Sequence, residues 1–385
     1  MCANIASERE RSNVTGFELR EEIEQGGKKY FLQTSLLPQK GLIQSSFFKS
    51  GTAFDTVQQS IDGASSPEEL RKATKRVHLE NKDKFLLVLG CVDRVRSIED
   101  PKPHLKVAQA LFRRHLYEEA IQEAQRAIQK GSGESIPYLV IGESYYEMGD
   151  YHRAHEAIRL GTEIKPEYPD IHNLLGKVYL GQKKCRPAID SFKRAIELNP
   201  YYGEAYLNLA RAYLLNTIVK EDYELSRDLD DAFPANIERA AQLDPYLFAD
   251  RIEESRGFFR QKDYAAAYGT LEEIKGRATR GGLDEIIIDL YLMLIAQGDE
   301  LNEEEIEHFL DRVREIIDQN PTYADGHNSL GVLYTAKCKV YMDMASKAFR
   351  KALEINANYQ KAQKNLRLSE NDRQGIFILL KALLD

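Results

Sequence analysis

Two histidines three residues apart, His152 and His155, with Glu156 beside them, form the most metal-like grouping in the chain. On a helix that spacing sets both imidazoles on one face, where an ion could take two nitrogens. A structural zinc site needs four ligands, so ordinary surface histidines are the plainer reading. Asp230-Asp231 and Glu303-Glu304-Glu305 are runs of acid without the alternating spacing of a calcium loop. The second run follows Asn302 and suits a helix N-terminus, where the backbone dipole favours negative charge. Cys2, Cys91, Cys185 and Cys338 lie far apart with no CxxC, which reads as reduced thiols rather than a disulfide framework. No GxGxxG, phosphate loop, HExxH or GxSxG occurs. The expectation is a protein that is not an enzyme, with no catalytic residue, no cofactor and no bound metal.

The elements that would position any site must therefore carry the argument. The chain has 385 residues, 43% hydrophobic and 30% charged, enough to bury a real core. Its net charge of −8 argues against a nucleic-acid partner, which would call for a basic surplus. Apolar runs such as 85–89 and 376–380 fall far short of the roughly 20 residues of a membrane helix. The N-terminus has no apolar stretch to serve as a signal-peptide core, so a cytoplasmic location is expected.

The chain repeats itself. Tyr145, Tyr179 and Tyr213 follow one another at intervals of 34, as do Ala154 and Ala188, and Pro166 and Pro200. Each unit holds two helix-period apolar patterns, with Gly or Ala where a neighbouring helix must come close and Pro where the helix must stop. Unit 169–202 carries Leu175, Gly176, Tyr179, Ala188, Phe192, Ala195 and Pro200. Unit 135–168 carries Ile141, Gly142, Tyr145, Ala154, Ile158, Gly161 and Pro166. This pattern resembles the tetratricopeptide repeat (TPR), a helix-turn-helix unit of 34 residues. Unit 101–134 follows with Val107, Ala108, Leu111, Ala120, Ala124 and Ala127. A fourth unit opens with Leu209, Ala210 and Tyr213, but its Ala240 and Pro245 arrive eleven residues late. That places an insertion at 216–236, expected to be a surface excursion dispensable for folding. Unit 248–281 and a unit near 282–323 are looser. A seventh, 324–359, shows Leu330, Gly331 and Tyr334, then Ala345, Phe349 and Ala352. The resemblance implies a mainly α fold, a right-handed TPR α-solenoid, in which stacked hairpins bury a continuous core.

The flanks differ. Gly26-Gly27 and Ser50-Gly51 each join alternating runs and read as hairpin turns, giving a small antiparallel sheet that must lean on helices. Ser66-Pro67-Glu68-Glu69 opens a helix to about Ser97, basic at first and then apolar nearly all round, expected to cap the first repeat. Its basic stretch (Arg71, Lys72, Lys75, Arg76, His78) reads as a solvated face. The division expected is a disordered 1–15, a β-meander at 16–62, a connecting helix at 63–100, an array of about seven units at 101–369, and an apolar C-terminal helix at 370–385 after a break near 371–374. In that tail Ile376, Phe377, Leu379 and Leu380 would dock on the last hairpin or on a second copy.

Family positions that line the concave groove fall, in the first helices, on Leu105, Phe112, Leu139, Glu143, Tyr146, Lys177, Leu180, Leu207, Arg211, Leu214, Ile252 and Phe259. The family's clamp for a chaperone C-terminus would need Lys, Asn, Asn, Lys and Arg where this chain has Asn173, Lys177, Asn208, Ala249 and Glu253; only Asn208 fits. The function implied is a non-enzymatic scaffold or adaptor binding a protein partner, an extended peptide or amphipathic helix, in that groove. The alternative is a self-assembling homo-oligomer using the sheet edge or the tail.

Overall fold

The computed structural model describes residues 17–61, 66–243, 245–276, 282–298, 301–319, 321 and 323–384; the N-terminal segment 1–15 lies outside them. Gly26 and Gly27, with φ of 59° and 75°, take the left-handed conformation that a two-residue hairpin turn demands, and join β1 (Glu18–Gln25) to β2 (Lys28–Leu37). Ser50 and Gly51 do the same between β3 (Leu42–Lys49) and β4 (Thr52–Ser60). The sheet is an antiparallel meander in the order β1-β2-β3-β4. Alternation sends Tyr30, Leu32 and Leu36 inward and leaves Phe31 exposed.

The inward face rests on α1 (Pro67–Val95), which starts where Ser66 and Glu69 cap one another reciprocally. Phe85 is wholly buried among Tyr30, Phe47 and Phe54, with ring centroids 5.1, 4.8 and 6.1 Å away. A polar seam runs beside these rings: Asn81 Nδ2 donates to Ser45 Oγ at 3.1 Å, and His78 Nδ1 lies 2.9 Å from Thr34 Oγ1. His78 is thus buried, contrary to the expectation that the whole basic stretch is solvated.

Short hairpins follow: α2 (Pro101–Arg113) with α3 (Tyr117–Gln129), α4 (Ile136–Glu147) with α5 (Tyr151–Ile164), and α6 (Pro169–Gly181) with α7 (Cys185–Leu198). Ala108, Ala120, Ala124, Ala154, Ala188 and Ala195 are fully buried, as helices in close approach require. α8 (Gly203–Val219) pairs with α10 (Leu229–Leu243) across the short α9 (Tyr223–Arg227). Here the reading of 216–236 as a surface excursion is corrected. Asn216 is buried and closes a turn, its side chain bonding Asp222 O at 2.8 Å and Asp222 N at 3.0 Å. Leu225, Leu229 and Phe233 then enter the core shared with Leu214 and Ile252.

α11 (Pro245–Arg260), α12 (Tyr264–Glu272), α13 (Leu283–Gln297) and α14 (Glu303–Gln319) precede two long helices, α15 (Ala324–Ile355) and α16 (Gln360–Leu384). The residues expected to form a seventh hairpin all lie on α15, because no turn interrupts it between Tyr334 and Ala345. Nor does α16 break at 371–374: Asp343 of α15 holds Arg373 at 3.1 Å, and Ser346 and Ser369 share a buried hydrogen bond of 2.8 Å. Leu380 and Leu384 are buried against Leu333, Ala336 and Val340, while Ile378, Leu379 and Leu383 remain exposed.

α13 returns to the beginning of the chain. Ile288 and Leu292 join the core of α1 and α2, and Cys91 Sγ donates to Leu292 O at 3.3 Å. This explains why the second half of α1 is apolar nearly all round. The sheet and α2 cover part of it, and α13 covers the rest. Among the described residues no helix is long and apolar enough to cross a membrane.

Candidate partner-binding groove

The first helices of the hairpins present a polar ladder. Arg211 Nη1 donates to Asn208 Oδ1 at 2.8 Å, Asn208 Nδ2 to Asn173 Oδ1 at 3.0 Å, and Asn173 Nδ2 to Tyr202 Oη at 3.2 Å. Asn173 and Asn208 thus spend their amides on each other and on neighbouring side chains. Lys177 lies 3.5 Å from Glu204 and 5.5 Å above the Tyr146 ring. Burial pushes the Glu143 carboxyl up to about 7 against the pull of Lys177. Partial desolvation in the cleft acts on Glu204 as well, though its side chain is 46% exposed, but Lys177 and the amides of Asn173 and Asn208 outweigh it and hold that carboxyl below the usual range. One carboxylate beside Lys177 is therefore firmly ionised and the other is poised to titrate near neutrality.

Beyond this ladder opens a cavity of about 720 Å³. One wall is Phe112, Leu139, Val140, Glu143 and Glu204, from α2, α4 and the start of α8; the other is Leu283, Asp284, Ile287, Asp325 and Asn328, from α13 and α15. Apolar side chains alternate with carboxylates, and Arg113 supplies the cation.

Of the residues expected in the groove, Phe112, Leu139 and Glu143 line this cavity, and Lys177 stands behind them. Leu105, Tyr146, Leu180, Leu207, Arg211, Leu214 and Ile252 are instead buried. For Leu207, Arg211 and Leu214 the reason is that α12 packs onto α8, where Ala267 and Leu271 share their core and Glu272 pairs with Arg211. Leu105 lies in the core that α13 shares with α1 and α2, and Tyr146 in the one between α4, α5 and α6. Phe259 is stacked on Phe233 at 4.3 Å. None of these side chains lines the cavity. In the tail set, Leu380 is buried, Ile376 and Phe377 are half-buried and Leu379 is exposed. The opposite wall, led by Leu283 and Ile287, carries no signal in the 34-residue period, since it comes from the long-range return of α13. His155 faces Tyr179 Oη at 3.3 Å, and among the described residues no three His, Cys, Asp or Glu side chains are gathered to hold a metal.

Models of the tetratricopeptide repeat match residues 137–168, 169–202 and 191–232. Solved structures similar to this chain include YrrB, described as a TPR protein with an unusual peptide-binding site, at 17% identity, covering 62% of this chain and 96% of that one with a TM-score of 0.32. Another is TTC0263, a thermophilic TPR protein of Thermus thermophilus, at 17% identity, 52% and 98% coverage and a TM-score of 0.31. Pseudomonas aeruginosa PilF follows at 12% identity, 59% and 95% coverage and a TM-score of 0.36. The consecutive repeat matches carry the assignment: the chain holds tetratricopeptide repeats across residues 137–232, with a four-stranded sheet standing outside them.

Proposed function

We infer that the protein is a non-enzymatic scaffold or adaptor that takes a segment of a protein partner between its N-terminal repeats and the returning α13 and α15. The observation that carries this reading is the cavity of about 720 Å³, whose apolar anchors Phe112, Leu139 and Ile287 sit among the carboxylates of Glu143, Glu204, Asp284 and Asp325. Such a lining suits an extended peptide or short amphipathic helix with aliphatic side chains and a basic flank. Tetratricopeptide repeats are a fold of interaction surfaces, the cytoplasm is the expected compartment, and no cofactor enters the reading. Selection from a displayed peptide library tests it. Enriched sequences should combine Leu, Ile or Val with Lys or Arg, and Leu139→Asp should abolish their binding while the protein keeps its melting temperature. Peptides that bind the Leu139→Asp protein unchanged would move the site elsewhere.

A second reading, self-association through the C-terminal helix, draws support from the exposure of Ile378, Leu379 and Leu383.

A further inference from the structure

A second cavity, of about 280 Å³, lies where the chain closes on itself, between β4, α1, α2, α13 and α14. Four cations surround it: Lys84 from α1, Arg113 and Arg114 from α2, and Arg312 from α14. Three carboxylates accompany them, Asp55, Glu285 and Asp289. Arg114 stands 3.8 Å from Asp55, Arg312 stands 3.8 Å from Glu285, and Arg113 reaches out to Asp284 at 3.7 Å. The Nη1 atoms of Arg113 and Arg312 and Oδ2 of Asp289 are buried with no hydrogen-bond partner, and Asp289 is only 8% exposed. Buried guanidinium donors and a buried carboxylate oxygen left unmatched are costly, and a ligand able to satisfy all three recovers that cost.

We propose that this cavity binds a phosphate group, with Arg113 and Arg312 donating to its oxygens, Lys84 and Arg114 supplying further positive charge, and Asp289 Oδ2 taking its P–OH hydrogen. The cations approach from three different helices, so they suit a tetrahedral oxoanion with oxygens in divergent directions better than a planar carboxylate. Asp289 sets the choice among tetrahedral anions. One proton must lie between its Oδ2 and the facing ligand oxygen. Hydrogen phosphate brings that proton at neutral pH, whereas sulfate brings none. Burial, ahead of the neighbouring Glu285 carboxylate, already pushes the Asp289 carboxyl up, which suits a group that shares a proton. The bound anion bridges α2 to α14, and so ties the returning helices to the start of the array.

Isothermal titration of the full chain at about pH 8, with inorganic phosphate, sulfate and glycerol 3-phosphate in turn, tests the assignment. The expected result is saturable one-to-one binding of phosphate, with sulfate at least about tenfold weaker. At this pH the ester is a dianion with no P–OH, as sulfate is, so free phosphate should bind more tightly than the ester, which identifies the free ion; an ester that binds as tightly as phosphate overturns the Asp289 contact. Arg113→Gln and Arg312→Gln should each weaken phosphate at least about tenfold, and Asp289→Asn should erase the preference over sulfate. Absence of saturable phosphate binding to the unaltered protein, or sulfate binding as tightly as phosphate, overturns the proposal without reference to any variant. Unchanged affinity in both folded arginine variants overturns it as well.

Discussion

The Phe192 ring of α7 lies directly against the backbone of Gly176 in α6, so that a Cβ at Gly176 would fall 2.6 Å from the ring's Cδ1. No side chain fits there without moving the ring, and Phe192 is itself fully buried. Gly331 occupies the same family position in the seventh sequence unit, yet no packing neighbour comes within 4 Å of where its Cβ would stand. Gly176→Ala should therefore cost about 1–3 kcal/mol through overpacking, partly offset by alanine's better helix propensity. Gly331→Ala should be neutral or stabilise by about 0.5–1 kcal/mol. Urea unfolding of the two variants checks the contrast, and equal losses in both would show that α15 does have a close neighbour at Gly331.

Phe233 is the anchor of the inserted segment. It is 1% exposed and stacks on Phe259 with ring centroids 4.3 Å apart and planes 18° apart. Phe233→Ala should destabilise the protein by about 3–5 kcal/mol, as removal of a buried ring does. Shortening 216–236 to a plain turn should leave the protein insoluble or molten. A shortened protein that melts cooperatively within a few degrees of the original would restore the picture of a dispensable loop.

The contrast between Gly176 and Phe233 shows what was legible in the sequence. Gly176, Tyr179, Ala188 and Phe192 were readable because adjacent hairpins fix contacts at a constant sequence distance, and the contacts demand particular sizes. Residues 216–236 read as a surface excursion because insertions in repeats map to loops. Here Asn216 and Asp222 close one buried turn, and Pro234 sits near the start of α10. The join between Cys91 and Leu292, 201 residues apart, leaves no local pattern at all. The site divides in the same way. Repeat numbering located Phe112, Leu139 and Glu143, but could not foresee α12 covering Leu207 and Leu214 or α13 providing the opposite wall.

Glu143 makes stability depend on pH. Burial, with Glu204, Asp170 and Glu147 adding to it against Lys177, raises its carboxyl to about 7 in the folded chain, above the ordinary 4.5. A raised carboxyl favours the protonated folded state. Its contribution is intact below about pH 4.5 and is lost progressively as pH rises through 7. Glu143→Gln keeps a neutral group of the same shape, so it should raise the melting temperature by a few degrees at pH 8 and leave it unchanged at pH 4.5. Calorimetry at the two pH values decides, and a gain of equal size at both would place the effect in packing rather than ionisation.

The C-terminal half of α16 presents two faces with opposite expected consequences. Leu380 and Leu384 are 0% and 2% exposed and share a core with Leu333, Ala336 and Val340 of α15. Their burial, with the Arg373 tether to Asp343, makes this segment a cap on its own chain. Leu380→Ala and Leu384→Ala should each cost about 2–5 kcal/mol. Neither should change the mass in solution at a temperature where the variant remains folded. The outward face is independent of that cap: Ile378, Leu379 and Leu383 are 61%, 51% and 46% exposed. Replacing all three by Lys removes no internal packing, and the melting temperature should stay within a few degrees. If two copies meet through this face, the unaltered protein shows a dimeric mass by light scattering and the triple variant a monomeric one, because three ammonium groups per chain repel across a shared interface. A monomeric mass for both proteins at high concentration ends the self-association reading while leaving the cap intact. Full stability after truncation at Gly375 would end the cap as well, since burial of Leu380 and Leu384 against α15 cannot then be contributing to the fold.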